Sequence, residues 1–119
     1  MTSGTRMAVA AAMTVLLSAC DTGGCTQAPE PAVEVSVVDA ATGLAVVDSV
    51  TVVVRDGDFE ETLFETSSGV YSGAGDREGE YTVVVAHPRY EPWVRDRVRV
   101  IEDRCHVRTA YLAAELVAR

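Results

Sequence analysis

Gly79-Glu80-Tyr81-Thr82-Val83-Val84-Val85-Ala86 is the stretch whose reading decides the fold. Tyr81, Val83 and Val85 recur at period two, which puts three large apolar side chains on one face of an extended strand. Valine, threonine and tyrosine also fit a pleated, half-buried surface. His87-Pro88 ends the strand, because proline brings no amide proton to a ladder. Toward the amino terminus, Val50, Val52 and Val54 alternate in the same way, and so do Val33, Val35 and Val37 with Glu34 and Ser36 between them. Asp39-Ala40-Ala41-Thr42-Gly43 supplies turn residues after the first set, and Asp56-Gly57 is a hairpin signal leading into Phe59 to Phe64. A short Val70-Tyr71 lies between glycines. Two longer runs close the chain, Trp93 to Ile101 and Cys105 to about Leu116. Alanine, leucine and glutamate favour a helix from Ala110 to Ala118 on propensity alone. Six or seven short strands at this spacing predict an all-β fold, an antiparallel sandwich of two sheets.

Upstream of the strands the character changes. Arg6 and the amino terminus form a positive segment, followed by an apolar run from Met7 to Leu17 that is too short to span a bilayer. The run ends in Leu17-Ser18-Ala19-Cys20, which resembles the lipobox of bacterial lipoproteins. The resemblance implies that residues 1–19 are an export signal, that Cys20 carries a diacylglyceryl group, and that the protein is anchored to a membrane of the bacterial cell envelope. An ordinary secretory signal cut after Ala19 is the alternative. Residues 20–31, with Gly23-Gly24 and Pro29-Glu30-Pro31, read as a tether. The about 100 residues after cleavage suffice for one domain and not for two, placed here at 32–119. One acyl chain gives only marginal membrane binding, so the several chains of a lipoprotein are what would make the anchor stable.

The chain holds 18 acidic residues against 10 basic ones, all arginine, for a net charge of −8. Such a surface repels nucleic acid and anionic headgroups, so no nucleic-acid partner is expected. Three cysteines are present. With Cys20 assigned to lipid, Cys25 and Cys105 remain, and an exported compartment permits them to pair. Two free thiols or a metal site are the alternatives, although two cysteines with neither a CxxC nor a histidine pair make a poor zinc motif.

Three pieces, in order, resemble the carboxypeptidase regulatory-like domain, a transthyretin-like sandwich of exported bacterial proteins. Val35-Ser36-Val37-Val38-Asp39 with Thr42-Gly43 is similar to that family's opening strand and D-x-x-T-G turn. Gly79 to Val85 is similar to its G-x-Y-x-V-x-V strand. Pro88-Arg89-Tyr90-Glu91-Pro92 is similar to its P-G-Y-x-P turn, with Arg89 where glycine is usual. The match runs from about Ala32 to about Leu116 and implies a transthyretin-like or immunoglobulin-like sandwich acting as a non-catalytic accessory module. A related fold hosts the hydrolase of 5-hydroxyisourate. His106-Val107 resembles that enzyme's pair in the last strand, but Ser36 stands where it has histidine, and Leu116-Val117-Ala118-Arg119 stands where it ends Tyr-Arg-Gly-Ser. One of several required groups does not make an active site.

The residues themselves offer two further candidates. Asp56, Asp58, Glu60 and Glu61 crowd one hairpin, and oxygen-rich clusters suit calcium, but their spacing is not that of an EF-hand and alternation sends Glu60 and Glu61 to opposite faces. A solvated turn is the simpler reading. Trp93, Arg95, Arg97 and Arg99 share sequence parity, which predicts one face of a strand, with Val94, Asp96, Val98 and Val100 on the other. Aromatic and arginine side chains dominate interface hot spots, so this stripe is the candidate binding face for an envelope protein or a glycan. Cross-strand pairing with carboxylates, with Trp93 capping the sandwich edge, is the alternative. His87, Tyr90 and Trp93 form a second, loop-end patch. The sequence shows no pairing of nucleophile and base, no glycine-rich phosphate loop and no repeat, and no cofactor is expected.

Overall fold

A computed structural model describes Cys25 and residues 27–119. The export signal and Cys20 lie outside the described residues. Among the described residues, eight strands follow one another without a helix: β1 (Val33–Asp39), β2 (Thr51–Asp56), β3 (Phe59–Thr62), β4 (Phe64–Ser67), β5 (Val70–Gly73), β6 (Gly79–Ala86), β7 (Trp93–Val100) and β8 (Ala110–Leu116). They form two four-stranded sheets, ordered β4-β5-β1-β8 and β3-β2-β6-β7. The fold is therefore an all-β sandwich, and its inner faces are the valine sets read from the sequence. Val33, Val35 and Val37 of one sheet and Val52, Val54, Tyr81, Val83 and Val85 of the other are fully buried. At about 25 cal/mol per Å² of apolar surface removed from water, this shared interior is the main force holding the layers together.

Local chemistry explains where the strands end. Asp39 Oδ1 accepts the amide protons of Ala41 and Thr42 at 2.7 and 2.9 Å, so the carboxylate closes the turn after β1. Gly57 has φ +61°, and Asp56 pairs with Phe59, which leaves Gly57-Asp58 as a two-residue loop with positive φ at its first position, as in a type II′ turn. Tyr81, at the start of β6, donates its hydroxyl to the Arg77 carbonyl at 2.5 Å. A tyrosine bonded a few residues upstream at a strand start is the tyrosine corner of β-sandwiches, and it lets a large ring be buried with its polar tip satisfied.

Four features depart from the sequence expectations. First, β1 and β8 pair in parallel, Val33 with Ala110 through Asp39 with Leu116, whereas an antiparallel fold was expected throughout. Alternation is identical for either strand direction, so only the path of the chain between sheets settles the sense of pairing. Second, Phe59 to Phe64 is two strands in different sheets. Leu63 lies between them, 5% exposed, and donates its amide to Val52 O while its side chain joins the core. Third, the last strand begins at Ala110 and not at Cys105. Residues before it fold back on the end of β7, with Glu102 bridging Val107 and the Arg108 amide bonded to Ile101 O. Fourth, residues 110–116 are strand in spite of their helical propensity, because β1 offers them a complete ladder and Ala114 and Leu116 are buried against it.

Candidate functional site

Positions on β7 follow from its register with β6. Val98 is opposite Tyr81, Arg95 is opposite Val83 and Trp93 is opposite Val85, so the interval Arg95 to Val98 holds one residue more than Val83 to Tyr81. That extra residue is a β-bulge. Arg97 carries it, at φ +58°, a left-handed conformation that costs a residue with a Cβ about 1 kcal/mol. The bulge reverses the side-chain parity. Trp93 and Arg95 lie on the side of the buried Val85 and Val83, whereas Arg99, opposite Glu80, lies on the outer face. The expected single stripe of Trp93, Arg95, Arg97 and Arg99 is therefore split. Trp93 is half-buried and packs against the core, and the Arg95 guanidinium lies 5.0 Å from its ring centroid, a cation–π contact. Asp96, on the outer face, accepts the Thr82 hydroxyl at 3.1 Å. A sequence signal for this was available: Asp96 interrupts the parity shared by Val94, Val98 and Val100.

The acidic hairpin is dispersed by its partners. Asp56 Oδ2 takes Arg77 Nη1 at 3.0 Å, Glu60 Oε1 takes Arg55 Nε at 2.9 Å, and Glu61 Oε2 accepts the Ala74 amide at 2.9 Å. Glu60 and Glu61 do point to opposite faces, and the Arg77 guanidinium also covers the Phe59 ring at 4.0 Å. The two described cysteines are joined. Cys25 and Cys105 form a disulfide with Cα atoms 5.4 Å apart and 80 residues of separation. Around it, the Asp76 carboxylate accepts His106 Nδ1–H at 2.9 and 3.0 Å and the Glu30 amide at 3.3 Å. Burial raises the Asp76 carboxyl, but these hydrogen bonds and the neighbouring imidazole outweigh it and hold the group below its ordinary value. His106 thus lies in the loop before β8, and not in the last strand. Thr109 in the same loop donates its hydroxyl to Pro31 O at 2.6 Å, which leaves that hydroxyl committed to structure.

The opposite end of the sandwich gathers the loop-end patch. Tyr90 donates its hydroxyl to Asp39 Oδ2 at 2.6 Å, joining the β1 turn to the connection between β6 and β7. This bond, then the Thr42 and Ala41 amides, holds the Asp39 carboxyl below its ordinary range, and the same bond to Asp39 raises the Tyr90 phenol. Arg89, where the resemblance expected glycine, keeps a negative φ, so its side chain imposes no backbone strain. Its amide donates to His87 Nδ1 at 3.0 Å. His87 is 4% exposed, its ring meets Tyr90 edge to face at 4.9 Å, and its Nε2 is buried without a hydrogen-bond partner. A buried polar group left unpaired costs about 1–3 kcal/mol, so this atom stands out among the buried side-chain nitrogens and oxygens of the described residues. Beside it is an open cleft of about 300 Å³, lined among others by Ser49, Thr51, Pro88, Tyr90 and Arg119. Trp93, expected in this patch, does not line the cleft.

One surface feature escaped the sequence reading. Phe64, Ser72, Glu34 and Tyr111 fall in one row across the outer face of the first sheet, and the two aromatic rings at its ends are each 72% exposed. Only the strand order places them together. In comparisons with known proteins, no family model matches the chain and no curated protein is detectably similar to it.

Proposed function

We propose that the chain is a lipid-anchored protein of the bacterial cell envelope whose sandwich, resembling a carboxypeptidase regulatory-like domain, serves as a non-catalytic structural or protein-interaction module. The observation that carries this reading is the Cys25–Cys105 disulfide. Cys25 lies five positions after Cys20, the cysteine of the lipobox. A disulfide there shortens the route from lipid to folded domain to five residues, a reach of at most about 18 Å. The module would be held close to the membrane surface and would present its far end outward. The ionisable groups at both ends support a structural role, since Asp39, Asp56, Asp76 and Glu60 each bind a partner within the fold. The exposed Phe64 and Tyr111 support partner contact, because large exposed aromatics are common binding anchors.

The intact mass of membrane-extracted protein tests the anchor: acyl mass on Cys20 is expected, and its absence rejects the lipoprotein reading. Cross-linking in the native envelope then tests the module. A partner lost on Phe64→Ala/Tyr111→Ala assigns interaction to the outer face. A partner lost on Trp93→Ala/Arg97→Ala returns it to β7, where a glycan or small-molecule ligand is the second reading.

A further inference from the structure

The edge strands of the two sheets, β4, β8, β3 and β7, are not equally guarded. β3 and β4 are four residues long, β4 with an irregular register between Glu65 and Ser67, and β7 carries Arg95, Asp96 and Arg99 around the Arg97 bulge. Short length, bulges and charge protect a sheet edge from pairing with another chain. β8 has none of these devices: its seven residues pair with β1 in unbroken register and include one charge, Glu115. The Ala110 amide donates to Ala32 O and Leu116 O accepts the Ala40 amide, so in this parallel ladder the even-numbered residues of β8 bond to β1. The N–H and C=O groups of Tyr111, Ala113 and Glu115 therefore point away from β1, at exposed positions, with no strand beside them among the described residues. That row is a template for an added strand.

The neighbouring rim indicates what fills it. β7 and β8 are the strands of the two sheets that approach most closely. Tyr90 bridges Ala118 and Glu102 bridges Val107, so the two run antiparallel past each other, with Arg97 and Arg95 level with about Tyr111 and Ala113. Arg95 is exposed although it lies on the inward side of β7, its guanidinium over the Trp93 ring, and so it stands at the rim beside β8. Residues 95–108 hold five of the ten arginines and three of the 18 acidic residues, a basic stretch in an acidic chain. Glu115 projects from the outer face, away from Arg95, since Ala114 and Leu116 take the inward side. We propose that the free edge of β8 binds an extended acidic segment of a partner protein, its backbone on Tyr111, Ala113 and Glu115 and its carboxylates facing Arg95. A second copy of the chain is a poorer occupant, because two β8 edges meeting about a two-fold axis bring the arginines of one β7 toward those of the other.

This edge is a specific form of the interaction-module reading and rests on it. The test is a titration of the full chain with a capped eight-residue peptide alternating valine and glutamate, using the same peptide with lysine for glutamate as comparator, followed by NMR of the backbone amides. In an added strand the glutamates turn to the Arg95 side and the valines to the outer face beside Tyr111. The glutamate peptide is expected to shift the Tyr111, Ala113 and Glu115 amides and slow their hydrogen exchange, with the lysine peptide at least about tenfold weaker, equivalent to 1.4 kcal/mol. Ala113→Pro removes an outward N–H and no bond to β1, and it should weaken binding at least about tenfold. Arg95→Gln/Arg97→Gln, at exposed positions, should weaken it about tenfold and decides the matter if Ala113→Pro does not fold. Unmoved β8 amides, equal affinity for the lysine peptide, or binding unchanged in the arginine variant each overturn the proposal. Protection of the same amides by concentration-dependent dimerisation without peptide also overturns it and gives the edge to a second copy. The acyl mass and the envelope cross-linking are independent of all these outcomes, so the edge and the reading above fail separately.

Discussion

At the end where the chain enters the sandwich, a disulfide, the carboxylate of Asp76 shared by His106 and Glu30, and the Thr109 hydroxyl on Pro31 tie three segments together. At the other end the Tyr90–Asp39 hydrogen bond is the side-chain link between the β1 turn and the β6–β7 connection, and it sits beside the strained Ser49, at φ +62°, and the unpaired Nε2 of His87. Both ends close the same valine core. The difference teaches that the covalent constraint and the buried polar atom without a partner sit at opposite ends of the sandwich. Left-handed residues occur at both ends, Ala74 and Asp76 beside the staple and Ser49 away from it, whereas the unpaired Nε2 and the cleft lie only at the end facing away from the staple, among the described residues.

The largest expected effect tests the staple. Closing a loop of this length removes denatured-state entropy worth up to about 4.5 kcal/mol. Cys105→Ser should therefore lower the melting temperature by roughly 10 °C or more. A shift of only a few degrees would mean that the two ends contribute alike, and the contrast would fail.

Tyr90→Phe tests the other end and should cost less, a melting shift of a few degrees with the fold retained. It also changes the response to acid. The folded Asp39 carboxyl lies below its unfolded value of about 3.9, so its contribution is fully present above that pH and is lost as pH falls through the folded value. Removing the phenol should reduce that acid sensitivity. Tyr90 itself is raised, so its contribution is complete below about pH 10 and is lost as pH rises through the folded value. Stability measured against pH in wild type and variant checks both limbs, and superimposable profiles would remove the assigned role of this bond.

Asp76→Asn sharpens the comparison within the stapled end. Asparagine tolerates the left-handed backbone found there, φ +53°, so the substitution changes charge and hydrogen bonding with little strain. Its effect should be small with the disulfide intact and larger in the Cys105→Ser background, since the two constraints hold the same segments. Strict additivity in a double-mutant cycle would show that they act independently.

The smallest effect is expected on β7, which runs between the two ends. Arg97→Gly relieves the left-handed bulge and should leave stability unchanged or raised by up to about 1 kcal/mol. A clear loss in denaturant unfolding would show that the Arg97 side chain makes a stabilising contact.

Much of this architecture was legible in the residues. The alternation of Val33 to Val37, Val50 to Val54 and Tyr81 to Val85 gives the strands and their buried faces, because period two is a local property of extended chain. The turn at Asp39 to Gly43 and the hairpin at Gly57 are equally local, written in a carboxylate that caps amides and a glycine that accepts positive φ. The pairing of Cys25 with Cys105 was an expectation from the cysteine count and from the resemblance of Leu17 to Cys20 to a lipobox, and the two cysteines are joined in the fold.

What only the tertiary structure decided is where separate segments meet. The parallel seam of β1 with β8, the change of sheet at Leu63 and the bulge at Arg97 each depend on a partner strand, and a periodic pattern does not say which strand that is or in which direction it runs. For the same reason the arginine stripe on β7 divides between two faces, while Phe64 and Tyr111, 47 positions apart, come to share one. Tyr90 reaches Asp39 across 51 residues, and His87 is buried beside a cleft, because the loops at that end converge on the closed core. Strand formation follows from near neighbours in the chain, but a site is made of groups brought together by packing, and that information resides in the assembled layers.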